Sequence, residues 1–364
     1  MSTPLRPDTV RVAALVPYPL GRAPGQRYRI EQWAPLMRRE GVEVDLLPFL
    51  DDATLDVLYE PGRFAMKGAG VVGGFRRRLR QLGRLQDYDV AYVFREAAFL
   101  PSTFLEKAVA RRMPFAYDFD DAIYLPATSA ANAALHFLKG AGKVSTLCRI
   151  AAHVTVGNAH LASYARRHAR AVTTIPSTID TTAYLPAPRP PSAIPVIGWT
   201  GSTTTVPYLQ AIIPALKALR SRFEFELRVI GGRLSADGLP VTHVPWRAET
   251  EVDDLRAIDI GLMPLPDDEW TRGKCGMKAL QYMGLAIPAV VSPVGANADI
   301  IRDGQNGLYA RTHEDWVEGL GGLIRDPSLR MRLGAAGRAT VEKEYSAAVH
   351  APRLAGLLRE LAAR

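Results

Sequence analysis

An apolar run, Val10 to Pro17, gives way to a Gly- and Pro-rich stretch, Tyr18 to Gly25; Ile30, Trp33, Ala34 and Met37 then recur at i, i+3, i+4 and i+7. Gly41 supplies a C-cap, and Val42 to Leu47 reads as a second strand. A strand, loop, helix and strand in that order, with short connections, is the opening unit of a doubly wound parallel sheet. No other feature restricts the fold as much, because the same alternation continues. Strands are expected at Ala91 to Phe94, Phe115 to Phe119, His153 to Val156 and Val172 to Ile175, with helices at Phe99 to Arg111 and Ala159 to His168.

Tyr184 to Ser192 then places four prolines in nine residues, a stiff extended connector. A second α/β series follows. Its strands are Val196 to Trp199, Glu226 to Ile230, Val241 to Val244, Ile258 to Met263 and Ala289 to Val291; its helices include Pro207 to Arg220, Thr250 to Ala257 and Met277 to Met283. At 364 residues the chain suits two domains, each able to bury a core. The expectation is an α/β protein of two Rossmann-like, doubly wound domains facing a central cleft: residues 1–185, residues 193–345, and a terminal helix, residues 346–364, that packs on either domain. Ligands of such sheets bind beyond the carboxyl ends of the strands.

Composition removes several function classes. No apolar stretch approaches the length of a membrane span, and the Val10 run is too short for a signal peptide, so a cytoplasmic location is expected. Cys148 and Cys275 form neither a disulfide framework nor a zinc pattern. The seven histidines include no HxxxH or HExxH pair, so no metal and no cofactor is expected. The net charge of +8 is concentrated at Phe75 to Leu85, where Phe75, Leu79, Leu82 and Leu85 share one helical face with Arg76, Arg77 and Arg80 opposite. Arg78 and Arg84 of the same segment are expected on that charged side too, a pattern that fits a solvated surface helix, or peripheral contact with an anionic membrane at the inner membrane surface. Nucleic acid is not an expected partner, because aromatics do not interleave with the basic residues.

The most informative segment is Arg272-Gly273-Lys274-Cys275-Gly276-Met277-Lys278-Ala279-Leu280-Gln281-Tyr282-Met283-Gly284-Leu285-Ala286-Ile287-Pro288. A glycine-containing loop opens a helix, whose first N–H groups and dipole make an anion site. Lys274 and Lys278 oppose that dipole, and a bound pyrophosphate would account for them.

Gln281 to Pro288 resembles the Glu-Ala-Met-Ala-x-Gly-x-Pro turn of glycosyltransferase family 4, the large retaining GT-B group. Asp299-Ile300-Ile301-Arg302-Asp303-Gly304-Gln305-Asn306-Gly307-Leu308 resembles its Glu-Ile-Ile-x-x-Gly-x-Asn-Gly-Leu, and Pro176-Ser177-Thr178-Ile179-Asp180 its interdomain Pro-Asn-Gly-Val-Asp. The resemblance spans the C-terminal half and implies a retaining glycosyltransferase using a nucleotide-diphosphate sugar and an unidentified hydroxyl acceptor: a glycan, a lipid or a secondary metabolite. It departs from the family pattern in three places. Gly273 stands at the first family glutamate, which holds the donor sugar. Gln281 stands at the second, which contacts ribose. Thr200-Gly201-Ser202 replaces the basic phosphate loop. Hydroxyls and backbone N–H groups there can still cradle phosphate.

In the N-terminal half, Gly25, Arg27 and Arg29 lie on the loop that the resemblance brings to phosphate and acceptor, with surface charge as the alternative for the arginines. Arg95-Glu96 and Asp118-Phe119-Asp120-Asp121 follow two strands. Asp120 falls where the family carries a histidine near the catalytic centre, and Glu96 is a second candidate. Carboxylates clustered at strand ends raise one another's pKa and serve in acid/base chemistry. Asp121 is expected to cap a following helix. Asp118 and Asp120 also match a DxD, which in the other glycosyltransferase fold holds a divalent cation. The remaining alternatives are a sugar-nucleotide epimerase of the same fold and a nucleotide-sugar-binding protein that has lost catalysis.

Overall fold

The computed structural model describes residues 9–58, 60, 62–125, 142–187 and 194–364. The chain divides into two compact units. One is residues 1–176 together with 347–364; the other is residues 177–346. The division falls at Pro176, before the proline-rich connector, part of which (188–193) lies outside the described residues. The terminal helix belongs to the first unit.

That unit holds a six-stranded parallel sheet: β1 (Val10–Val16), β2 (Val42–Pro48), β3 (Val90–Phe94), β4 (Phe115–Phe119), β5 (His153–Val156) and β6 (Val172–Thr174), in the order β2-β1-β3-β4-β5-β6. β3 and β4 are buried along their whole length, as expected of strands covered on both faces; β3 is apolar throughout, and β4 is apolar except for Asp118. The strand order reverses between β1 and β3, so the crevice at their carboxyl ends is the ligand position of this sheet.

Two helices position the rest. α1 (Phe64–Gly83) lies over the carboxyl ends of β1 and β2. α3 (Ala347–Ala362) returns to this unit, where Ala347, Ala351, Leu354, Leu358 and Leu361 fill one core with Val12, Ile30, Trp33 and Tyr92. Each fully buried leucine contributes about 1.5–3 kcal/mol, which settles the side on which this helix packs.

The facing of α1 corrects the expectation from periodicity. Leu82 and Leu85 are buried and Phe75 packs edge-on against Phe49, but Leu79 is 55% exposed while Arg78 is wholly buried. The Arg78 guanidinium donates to the carbonyl oxygens of Val16 (3.0 Å), Leu47 (2.9 Å) and Ala97 (2.7 Å). A carbonyl oxygen has two lone pairs, so even Val16, which also accepts from the Phe49 N–H (2.8 Å), can take a further donor, and a planar fork of five donors can serve several such oxygens together. Burial pushes the guanidinium down to about 9, so it remains a cation at neutral pH.

The second unit holds β7 (Val196–Thr200), β8 (Glu226–Ile230), β9 (Val241–Val244), β10 (Ile260–Met263), β11 (Ala289–Val291) and β12 (Leu308–Tyr309), all parallel, in the order β12-β11-β10-β7-β8-β9. The reversal here lies between β7 and β10. The two-residue β12 carries too little pattern to have been expected. α2 (Met277–Gly284) runs between β10 and β11 in the chain and starts beside the switch point. Among the described residues, no helix is long and apolar enough to cross a membrane.

Candidate active site

In the second unit the segment between β10 and α2 is built from local rules. Asp268 caps the turn Glu269–Arg272 in a capping box with Thr271, fixing the approach to Gly273. Gly276 is the N-cap of α2 with φ +70°, and a Cβ there would meet Ile300 Cδ1 at 2.3 Å, so both conformation and space demand glycine. The first intrahelical bond runs from the Leu280 N–H to the Gly276 carbonyl, leaving the earlier N–H groups of the turn aimed outward.

Lys274 and Lys278 flank that helix start. Lys274 Nζ lies 5.2 Å from the ring centroid of Trp270, and Lys278 Nζ lies 5.6 Å from that of Trp199 at the end of β7. Cation–π contact restricts both long side chains and so reduces the entropy lost when they meet an anion.

Thr200, Gly201 and Ser202 follow β7 on the other side of the switch point. The Thr200 N–H donates to the Tyr282 hydroxyl (3.1 Å), which donates to the Leu262 carbonyl (3.3 Å), stitching β7 to β10 through α2. The Gly201 N–H donates to Ile230 (3.0 Å). These two N–H groups therefore belong to the sheet end and not to a phosphate cradle. The exposed hydroxyls of Ser202 and Thr204, 2.8 Å apart, are what the loop presents.

Gln281 is buried on α2. Its Nε2 donates to the Tyr184 hydroxyl (3.1 Å) and to Glu251 Oε1 (3.2 Å). Tyr184 in turn donates to Glu251 Oε2 (3.0 Å), and Trp246 Nε1 to Glu251 Oε1 (3.0 Å). A carboxylate only accepts, so it sets which end of the amide is nitrogen. Sequence reasoning did not single out Glu251, Tyr184 or Trp246; apart from Trp246 and Glu251 they are remote from one another in the chain.

In the first unit, the loop after β1 is tied down by Gln26, which exchanges hydrogen bonds with the backbone of Tyr18 and donates to Glu31 (2.7 Å). The chain then makes a single π-helical turn, Arg27–Glu31, which directs Gly25 and Arg29 along the carboxyl end of β4. Gly25 meets Asp120: a Cβ there would stand 2.6 Å from Oδ2 and 3.0 Å from Arg95 Nη2. Arg29 meets Asp118 instead and is wholly buried with it. Its Nε donates at 3.0 Å, its other nitrogens reach Asp118 and the Ile175 carbonyl, and Thr155 adds a hydroxyl bond to Asp118 at 2.6 Å.

This arrangement corrects two expectations. Arg29 is an internal clamp of the sheet and presents no face to a phosphate. Asp118 is consumed by Arg29 and Thr155, so it and Asp120 do not converge as a DxD pair. Arg27 remains partly exposed, resting on the Tyr28 ring at 4.7 Å.

Asp120, whose side chain is 9% exposed, accepts from Arg95 Nε at 2.8 Å and Nη2 at 2.7 Å. Asp121 stands 3.9 Å from the same guanidinium. The carboxylates are thus not an isolated acidic cluster, because a cation lies between them. Arg95 follows β3 at the switch point with φ +58°, a strained conformation for a residue other than glycine, held by its N–H on the Asp118 carbonyl (2.7 Å) and by the Tyr117 hydroxyl donating to the Arg95 carbonyl (3.0 Å). Asp121 leads into a turn, Ala122–Leu125, and caps no helix among the described residues. Glu96 accepts from Lys143 Nζ at 2.6 Å; this buried lysine also ties down the carbonyls of Ala98 and Leu100. Among the described residues no group of three or more His, Cys, Asp or Glu converges in a way that could hold a metal ion.

Comparison with known proteins follows this geometry. Residues 194–326 match the family described as glycosyl transferases group 1. Over 132 residues, 36% of this chain and 30% of the other, the sequence is 27% identical to a D-inositol 3-phosphate glycosyltransferase of Arthrobacter sp.. It is 30% identical over 92 residues to the protein of that name from Nocardia farcinica, covering 25% of this chain and 19% of the other. The matches thus span less than a third of the length of these curated relatives.

Solved structures match far more of the fold. A sucrose-phosphate synthase from Thermosynechococcus elongatus aligns over 97% of this chain and 99% of its own with a TM-score of 0.70 at 14% identity. A glycosyltransferase from Rickettsia africae gives 0.69 at 10% identity, covering 97% and 99%. Anabaena HepE in complex with UDP and glucose gives 0.65 at 13% identity, covering 97% and 100%. The chain therefore has the GT-B fold, and residues 194–326 of its second unit match the glycosyl transferases group 1 family.

Proposed function

We propose that this protein is a retaining, metal-independent glycosyltransferase that moves a sugar from a nucleotide-diphosphate sugar to a hydroxyl acceptor. The observation that carries the reading is the start of α2: a glycine-capped helix N-terminus at the switch point, with Lys274 and Lys278 seated on tryptophan rings beside it. Cleaving the anomeric C–O bond leaves the electron pair on the diphosphate oxygen. An aligned helix end and two ammonium groups stabilise that developing charge with groups of the chain itself, which makes a divalent cation dispensable. The hydroxyls of Ser202 and Thr204 add donors from the β7 side. Gln281 takes the place of the family's ribose-binding glutamate, its amide oriented by Glu251 and Tyr184.

In the first unit Asp120 is the candidate acceptor-side carboxylate, held in place by Arg95, while Lys143 holds Glu96. The family match over residues 194–326 and the likeness of fold to a protein solved with UDP and glucose support the same reading. The test is incubation with UDP-, GDP-, dTDP- and ADP-sugars plus a panel of glycan, lipid and small-molecule alcohols, following nucleoside diphosphate release and the anomeric coupling constant of the product. Transfer with retained configuration, unchanged by EDTA, is expected. Inversion, or loss on chelation restored by Mn²⁺, overturns the corresponding part of the proposal.

A further inference from the structure

We propose that the outward face of α1 docks on an anionic lipid bilayer. α1 spans twenty residues and contains Lys67, Arg76, Arg77, Arg78 and Arg80 but no aspartate or glutamate. An ordinary surface helix buries its leucines and shows its charges. α1 is partly inverted: Arg78 is wholly buried, while Phe64 is 81%, Met66 55%, Val72 49% and Leu79 55% exposed. Four of the ten large hydrophobic side chains exposed among the described residues thus lie on this one helix. The exposed positions Ala65, Ala69, Val72, Arg76, Leu79 and Gly83 recur at alternating spacings of four and three, forming a single seam along the helix. Arg80 borders that seam, and Phe64 and Met66 stand at its start.

The charges sort themselves in the same way. Arg77 is occupied by Asp51 and the Phe49 carbonyl, Arg78 by the strand ends, and Lys67 by the Glu60 carbonyl. Arg76 and Arg80 make no ion pair among the described residues; the one contact between them is Arg80 Nε on the Arg76 carbonyl at 3.4 Å. An apolar seam with unneutralised guanidinium groups along it complements a surface that offers anionic headgroups above an acyl layer. Nucleic acid would reward the arginines but not Phe64 and Leu79. A second copy would bring two positive faces together. With no spanning helix among the described residues, the contact is peripheral.

The experiment is co-sedimentation of the full chain with vesicles of pure phosphatidylcholine and with vesicles containing about one-third phosphatidylglycerol, at low and high salt. Three proteins are compared: the wild type, Arg76→Glu/Arg80→Glu, and Phe64→Ser/Leu79→Ser. All four side chains are exposed, and melting curves confirm that the variants fold. Binding to acidic but not neutral vesicles is expected, falling with salt, and at least about tenfold weaker in the charge variant. The apolar variant should also weaken binding without altering its salt dependence. Equal partition onto both vesicle types, or variants that bind like the wild type, overturns the proposal. So does a concentration-dependent dimer in sedimentation velocity that Phe64→Ser/Leu79→Ser abolishes.

Discussion

The backbone of Gly25 packs so closely on Asp120 that a Cβ at that position would lie 2.6 Å from the carboxylate Oδ2. The glycine loop after β1 is therefore shaped around the carboxylate at the end of β4 and the Arg95 guanidinium bound to it. Gly25→Ala should displace both groups. The account expects a destabilisation of about 1–3 kcal/mol, the usual cost of overpacking a tight site, together with a loss of transfer activity and unchanged nucleotide affinity. Urea unfolding and calorimetry measure the two; a Gly25→Ala protein with wild-type turnover contradicts the role given to this contact.

Two nitrogens of Arg95 converge on Asp120 Oδ1 in a nearly enclosed pair, so a substitution there acts on rate and stability together. Asp120→Asn should lower kcat by about a hundredfold or more, the usual range for a lost acid/base group. It should also lower stability by about 1–3 kcal/mol, because Arg95 loses a charged acceptor. Asp121 lies 3.9 Å from Arg95, without a close hydrogen bond to it. Asp121→Ala should leave kcat within about twofold, since the bond to the reacting-side carboxylate is intact. Steady-state kinetics at saturating donor separate the two carboxylates, and equal losses in both variants contradict the assignment.

The Gln281 network predicts a ribose-specific effect. Glu251 accepts from Gln281, Tyr184 and Trp246, and Glu251→Gln gives the site a second amide with no fixed orientation. The wild type should bind its preferred nucleoside diphosphate more tightly than the 2′-deoxy analogue. In Glu251→Gln the natural ligand should weaken by about tenfold while the deoxy analogue changes little, the scale of one lost hydrogen bond. Parallel weakening of both ligands marks a purely structural role for Glu251.

A pH-dependent prediction comes from Asp51, which holds Arg77 of α1. Its carboxyl is lowered to about 2, first by the Thr54 hydroxyl at 2.5 Å and further by Arg77 at 2.7 Å. A folded pKa below the unfolded value of about 3.9 stabilises above that pH, and the contribution is lost as pH falls toward about 2. The side chain is 47% exposed, so solvent screens the effect and it is modest. Asp51→Asn should melt below the wild type at neutral pH, and the gap should close progressively from about pH 4 to about pH 2. A gap independent of pH contradicts the assignment.

The strands were legible because each is an apolar run between turn residues, and residues just past strand ends could be picked out by position. Asp120 stood out as a candidate in that way, and Lys274 and Lys278 by their places around the start of a helix. The buried roles of Arg29 and Arg78 did not stand out, because the sequence offers Arg29 to a phosphate or to solvent and Arg78 to a solvated helix face. Only the assembled sheet reveals carbonyl ends and a buried Asp118 that require a guanidinium. The Glu251–Tyr184–Gln281 network joins residues 67 and 97 positions apart, and no local pattern reports such a separation. The terminal helix carries an apolar face that suits either unit, and its packing on β1 and its neighbours is a tertiary outcome.

The central claim is that the start of α2 binds the diphosphate of the donor. Isothermal titration of UDP, GDP, dTDP and ADP, each against its nucleoside, tests it on the wild type, Lys274→Ala and Lys278→Ala. The wild type should favour one diphosphate strongly over its nucleoside. Each lysine variant should lose about tenfold or more for the diphosphate, the scale of a lost charge-assisted hydrogen bond, with nucleoside affinity unchanged. Diphosphate affinity that stays at the wild-type value in both variants would contradict the account.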